Sequence, residues 1–154
     1  MKSGDIAAAV GKGLVAGCVG TMAMTVSSSI EAKIRDRESS TAPADAAAKV
    51  LGITPEGDKE KARFSTMVHW SYGTGWGVLR GLLSLVPVPA PLPAVAHYAA
   101  VWGGQLAMLP ALGVAPPVKE WGSTALAIDA FHHGVYATAT SLAYRYLDRH
   151  TSSA

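Results

Sequence analysis

Charge is what this sequence has least of. Asp, Glu, Lys and Arg make up 16% of its 154 residues, against about a quarter in ordinary globular domains. The shortage is also uneven. Seven basic and seven acidic residues crowd between Glu31 and Arg63, while Gly81 to Val118 carries no formal charge at all. Disorder is excluded, because disordered chains are polar and charge-rich. A soluble α/β enzyme is disfavoured on the same ground, since nothing would clothe its outer surface in water. The net charge is only +2 and no basic cluster stands apart from acidic neighbours, which leaves no field for nucleic acid. One cysteine, Cys18, excludes an internal disulfide and a multi-thiolate metal site. Zinc-protease helices, nucleophile elbows, phosphate loops and paired-cysteine motifs are all missing. No catalytic residue and no metal ligand is therefore assigned, and the balance falls against an enzyme.

Apolar length is what the chain has instead. With the charges taken as fences, four segments emerge at 6–30, 64–86, 92–112 and 121–146. Each has about the 20–25 residues that a helix needs to cross the hydrocarbon of a bilayer. Pro87, Pro89, Pro91 and Pro93 divide the second from the third, and Pro110, Pro116 and Pro117 divide the third from the fourth, because a helix cannot run through prolines so dense. The pattern predicts an all-α, four-helix integral membrane bundle forming a single domain. Hydrophilic residues 31–63 make its first loop. Within that loop Thr41, Pro43, Asp45 and Gly52 have the order of a helix start and stop. Ala46, Ala47, Val50 and Leu51 give the short helix an apolar face to rest on the membrane surface. Lys and Arg are in slight excess on the loop side, which favours a cytoplasmic loop with both termini outside.

Glycines at four-residue spacing, Gly13 and Gly17, then Gly73, Gly77 and Gly81, share one helix face and let a second backbone approach. Packing within the bundle is the plainer use of this stripe, and homodimerisation is the other. Two sequence patterns are decoys. Val15-Ala16-Gly17-Cys18 has the look of a lipidation site, but Lys12 interrupts the hydrophobic run before it. The glycines from Gly11 match a loose dinucleotide pattern with no preceding strand. Cys18 and Met22 share a face, yet methionine is an ordinary core filler. Trp121, Tyr144 and Tyr146 mark membrane edges, and Trp70, Tyr72, Trp76, Tyr98 and Trp102 fill the bundle.

Ionisable residues inside the helices are the informative ones, since each is costly in hydrocarbon and must find a partner. At about 1.5 Å rise per residue, His69, Gln105 and Asp129 come to similar depths from the loop side. Asp129 and His133 stand one turn apart on one face. A polar interior of Asp129, His133, His69 and Gln105 is expected, either as a structural hydrogen-bonded layer or as a proton relay. Lys12, Arg80, His97 and the His132–His133 pair lie deeper, with Arg80 able to snorkel to the far surface. His97 with His132 or His133 offers a further alternative, paired axial ligands for b-type haem.

The runs His69-Trp70-Ser71-Tyr72-Gly73 with Gly75, Gly77 and Gly81, Val101-Trp102-Gly103, Leu109-Pro110-Ala111-Leu112-Gly113, and Asp129 before His132-His133-Gly134-Val135-Tyr136 resemble small bacterial inner-membrane proteins of the YagU-like kind. Ser39-Ser40, Pro43 and Gly52 extend the likeness into the loop. The resemblance implies a multi-pass protein of the bacterial inner membrane and supplies no reaction. The expected role is an accessory or structural subunit of a membrane assembly, whose partners are the bilayer and either further copies or a larger complex. A haem-binding redox module and a small proton-linked transporter or channel are the alternatives.

Overall fold

The computed structural model describes residues 2–38 and 40–151; Ser39 of the resemblance lies outside them. Among the described residues there are five α-helices and no strand: α1 (Ser3–Ile34), α2 (Ala42–Leu51), α3 (Gly57–Leu83), α4 (Leu92–Ala111) and α5 (Ser123–Thr151). A 3-10 turn, Val118–Glu120, leads into α5. The all-helical expectation holds. Of the four expected spans, only α1 is both long and apolar enough to cross a membrane on hydropathy. The others are diluted by Gly, Ser, Thr, His, Trp and Tyr.

Helix ends differ from the sequence expectation for local reasons. The Asp5 carboxylate accepts the Lys2 backbone N–H at 2.9 Å, and Glu31 pairs with Arg35 one turn on; both extend α1. Asp58 and Glu60 sit in the first turn of α3, where negative charge suits the exposed N–H groups, so this helix starts at Gly57 and not near residue 64. The short helix α2 forms as expected and stops at Gly52, whose φ of 65° is the left-handed conformation glycine adopts without cost. Its apolar face is split. Ala44 and Ala46 are buried, and Val50 and Leu51 are exposed.

The long helices alternate in direction. α1 lies antiparallel to α3 through the pairs Ala9–Gly81, Gly13–Gly77 and Thr21–Gly73. It is antiparallel to α5 through Lys12–Asp148 and Ser27–His132. α4 packs on the other side of α3 and α5 through His97, Tyr98, Trp102 and Gln105. The α1–α3 seam is made of backbone. A Cβ added to Gly77 would stand 2.6 Å from Gly17 Cα and collide with the Gly13 carbonyl oxygen, and one added to Gly81 would collide with the Ala9 carbonyl oxygen. The five glycines read from the sequence all lie on this seam.

Burial runs against the usual order. The buried residues are chiefly Ala, Gly, Thr, Ser, His and Tyr, with Arg80 among them, while Val19, Met22, Val26, Ile30, Met67, Val95, Phe131 and Leu142 are all exposed. In water large aliphatic side chains go inside and charged ones stay out. Two edge assignments need correction for the same reason. Tyr144 is 3% exposed, and Arg80, at 5%, does not reach the far surface. The Tyr144 ring lies 4.8 Å from the Arg80 guanidinium carbon, and its hydroxyl bonds Ser84 at 2.6 Å. A cation over an aromatic face holds both side chains in.

Candidate functional site: polar groups between the helices

Polar side chains form links at successive levels between the helices. Nearest the loop, Ser27 Oγ lies 2.7 Å from His132 Nδ1, and Glu31 Oε2 stands 3.7 Å from the other ring nitrogen, Nε2. Ser27 and Glu31 are one turn apart on α1, so the two flank one imidazole of α5. Arg37 donates two hydrogen bonds to Glu31, and Arg35 lies 3.3 Å from it. The Arg37 bonds hold the Glu31 carboxyl below its ordinary range. The same contact holds the Arg37 guanidinium above its own.

The next level has two halves that face different ways. On one side Thr25 Oγ1 bonds His69 Nε2 at 2.8 Å, joining α1 to α3. On the other, Trp102 Nε1 donates to Asp129 Oδ2 at 2.9 Å, and Gln105 donates to the same oxygen. His133 Nδ1 bonds the Asp129 backbone carbonyl at 2.8 Å and lies 3.5 Å from Oδ1. Asp129, Gln105 and His133 are thus brought together, and His69 is not one of the group. It sits on the face of α3 turned to α1, whereas Asp129 faces α4. Matching depth put them on one level but could not give their directions. Asp129 is also less interior than expected, with 29% of its side chain exposed. Trp102 is more than filler, since its indole N–H donates to the carboxylate.

Deeper still, Tyr136 donates to the Gly73 carbonyl at 2.6 Å and Arg80 Nε to Ser141 Oγ at 3.1 Å. At the far end Lys12 pairs with Asp148 at 2.9 Å. His97 is completely buried. Its Nε2 meets the Trp76 carbonyl at 3.1 Å, and its ring packs 5.6 Å from that of Tyr136.

Axial haem ligation needs two imidazole nitrogens facing one another across a shared space. His97 gives Nε2 to α3, His132 has its two nitrogens toward α1, and His133 turns Nδ1 to its own helix. These residues do not fit a paired haem site. Among the described residues no group of three or more His, Cys, Asp or Glu is placed to hold a metal ion. Met22 and Met67, exposed at 54% and 60%, lie on outer surfaces rather than in a shared pocket with Cys18.

Ser27, Glu31 and Arg35 were not singled out in the sequence. Their signal was present: Ser27 and Glu31 are at i and i+4, at the boundary between an apolar run and the charged loop. Reading that boundary as a fence hid it. No protein family, curated protein or solved structure shows a significant match to this chain.

Proposed function

We propose that this chain is a small multi-pass protein of a bacterial inner membrane, of the YagU-like kind, serving as an accessory or structural subunit of a membrane assembly. One observation carries the reading: large aliphatic side chains are outside while Arg80, His97, His132, Thr140 and Ser141 are inside. Such a surface is costly in water and matched to lipid, where small residues at helix seams and polar groups bonded from helix to helix replace an apolar core. At 20 residues, α4 has a length of about 30 Å, the thickness of the hydrocarbon. Its mean hydropathy falls short because Pro93, His97, Gln105 and Pro110 interrupt an otherwise apolar sequence.

The test uses single cysteines at the exposed mid-helix positions Val19, Tyr72 and Thr138, in a Cys18→Ala background, and at Lys59 in the loop. In membrane vesicles the three helix positions react with a water-soluble maleimide at least about tenfold more slowly than the loop position, because lipid excludes the thiolate-forming water. Equal rates at all four overturn the membrane reading.

A second reading, a proton-linked transporter or channel, is favoured by the succession of hydroxyls and imidazoles from Glu31 to Lys12, since imidazoles exchange protons near neutrality. Proteoliposomes carrying an internal pH dye test it. Proton flux that disappears in His132→Phe supports this reading, and flux equal to that of empty liposomes removes it.

A further inference from the structure

Two polar atoms deep among α3, α4 and α5 have no hydrogen-bond partner, Arg80 Nη1 and His97 Nδ1. Both residues are buried, and they spring from adjoining points. His97 Nε2 is held at 3.1 Å by the Trp76 carbonyl, and within α3 that carbonyl points along the axis toward Arg80, one turn on. The charge of Arg80 is accordingly felt at His97. Both side chains then meet one stretch of α5. The imidazole lies against the Tyr136 ring, and the guanidinium against Ser141 and the Tyr144 ring. These three α5 residues are buried as well, which shuts this stretch off from bulk water.

The two atoms require opposite partners. A guanidinium nitrogen only donates. A carbonyl only accepts, so His97 Nε2 carries the ring proton, and Nδ1 of the neutral ring is a bare acceptor. Charge is unbalanced at the same place. Arg80 keeps its proton at any ordinary pH. Of the charged groups acting on it, Asp148 is negative and Arg145 positive. Asp148 is already bonded to Lys12 at 2.9 Å, which leaves three cations against one carboxylate. A cation held away from water is costly until an anion joins it.

Donor, acceptor and charge together select the occupant. We propose that Arg80 and His97 bind one small monovalent oxyanion that carries a hydroxyl, of which bicarbonate is the smallest. An oxygen of the anion accepts from Arg80 Nη1, its hydroxyl donates to His97 Nδ1, and its single negative charge offsets the guanidinium. Chloride and nitrate have the charge but no proton to give Nδ1. Water has the proton but leaves the charge in place. Entry is short. Arg80 stands three residues before Leu83, the end of α3, so about 5 Å of helix rise separates it from the far surface, where Asp148 is half exposed.

The site needs only a dry interior, so its test can fail separately from the membrane reading. Protein purified in detergent is dialysed to equilibrium in closed cells against radiolabelled bicarbonate, with nitrate, chloride or inorganic phosphate as competitors. One bicarbonate binds per chain. Nitrate, which has the same planar shape and charge, displaces it only at a concentration at least about tenfold higher than unlabelled bicarbonate does. Arg80→Met binds none. His97→Phe binds more weakly, and nitrate and unlabelled bicarbonate displace the label from it equally. Glu31→Gln, at the loop end, behaves as wild type. Melting curves confirm that each variant is folded, and one that is not is replaced by Arg80→Gln or His97→Met. Absence of binding to the wild type overturns the inference. So does nitrate or chloride competing as well as bicarbonate, which assigns the site to any small anion. Unchanged binding in folded Arg80→Met, or an unchanged preference in folded His97→Phe, overturns it too. Phosphate competing while nitrate fails supports the hydroxyl-bearing class and adds a second occupant. Slow maleimide labelling without bicarbonate binding sinks this site alone; selective binding with fast labelling sinks the membrane reading alone.

Discussion

Two seams of this molecule are built from different materials. Between α1 and α3 the contact is backbone on backbone: Gly13, Gly17, Gly77 and Gly81 leave no space in which a side chain could stand. Between α4 and α5 the reach is made by Tyr98, Trp102 and Gln105, which extend to the Ala130 carbonyl and the Asp129 carboxylate. Glycines on α4 are not used in the same way. A Cβ on Gly103 would meet nothing within 4 Å, and one on Gly104 would meet only Trp76 at 3.8 Å. A glycine at close spacing therefore says little until its neighbour is known. The first seam is fixed by shape, and the second by a few directional polar bonds.

The largest expected effect breaks the first seam. Gly77→Leu must push two backbones apart, and overpacking of this kind costs about 3 kcal/mol or more where neither side can yield. Gly103→Ala, on open surface, is neutral or stabilising by up to about 1 kcal/mol, the helix-propensity gain. Thermal unfolding in detergent distinguishes the two, and an equal Tm for both variants would show that α1 and α3 do not touch through glycine.

The second seam is tested at its acceptor. Asp129→Leu strands the donors of Trp102 and Gln105 and is expected to cost about 2 kcal/mol, toward the middle of the range for unmade bonds because the carboxylate is partly exposed. Asp129→Asn keeps an oxygen that accepts from both and costs less than about 1 kcal/mol. Equal losses by thermal unfolding would show that charge, not hydrogen bonding, is what α4 and α5 require. If the proton-linked reading holds, the Asn variant folds normally and loses flux, since an amide takes up no proton.

The difference between the seams also explains what was legible beforehand. Helix class, the four long helices and the glycine stripe follow from periodicity and breakers, which are properties of one segment at a time. The Asp129–Gln105 contact was reached through matched depth, since antiparallel helices of similar length keep their levels. The side on which His69 lies was not legible, because direction around a helix axis depends on which neighbours pack there. Nor was the Trp102 bond, since an indole serves equally as filler and as donor. Tyr144 was misplaced because the sequence near a helix end does not show that Arg80 of another helix passes over its ring.

A smaller effect concerns a contact belonging to neither seam. Arg80 is buried with Nη1 unpartnered, held by Ser141 and the Tyr144 ring. Burying an unpaired cation is costly, and replacing buried charge by an apolar side chain of similar size is often neutral or stabilising. Arg80→Met should accordingly change stability by less than about 1 kcal/mol. A loss above about 3 kcal/mol in the same unfolding assay would mean that the guanidinium is held by more than Ser141 and Tyr144.

The smallest effect separates what titrates from what does not. A backbone seam has no group to protonate, so acid acts only on the side-chain links. Glu31, beyond the 6–30 segment, is the clearest case, because its bonds from Arg37 hold its carboxyl below the ordinary value of 4.5. A carboxyl lowered in the folded state stabilises fully above the unfolded value, and that contribution is lost as pH falls through the folded one. The wild-type Tm should therefore fall below about pH 4.5, while Glu31→Gln, with no charge to lose, starts lower and shows a shallower fall. The exposed partner, Arg37 at 37%, leaves the pair screened by water and keeps the shift smaller than any of the three before it. Parallel Tm–pH curves for the two proteins would show that the Arg37 pair contributes nothing to folding. A Gly77→Ala curve displaced downward but unchanged in shape would confirm that the glycine seam is indifferent to pH.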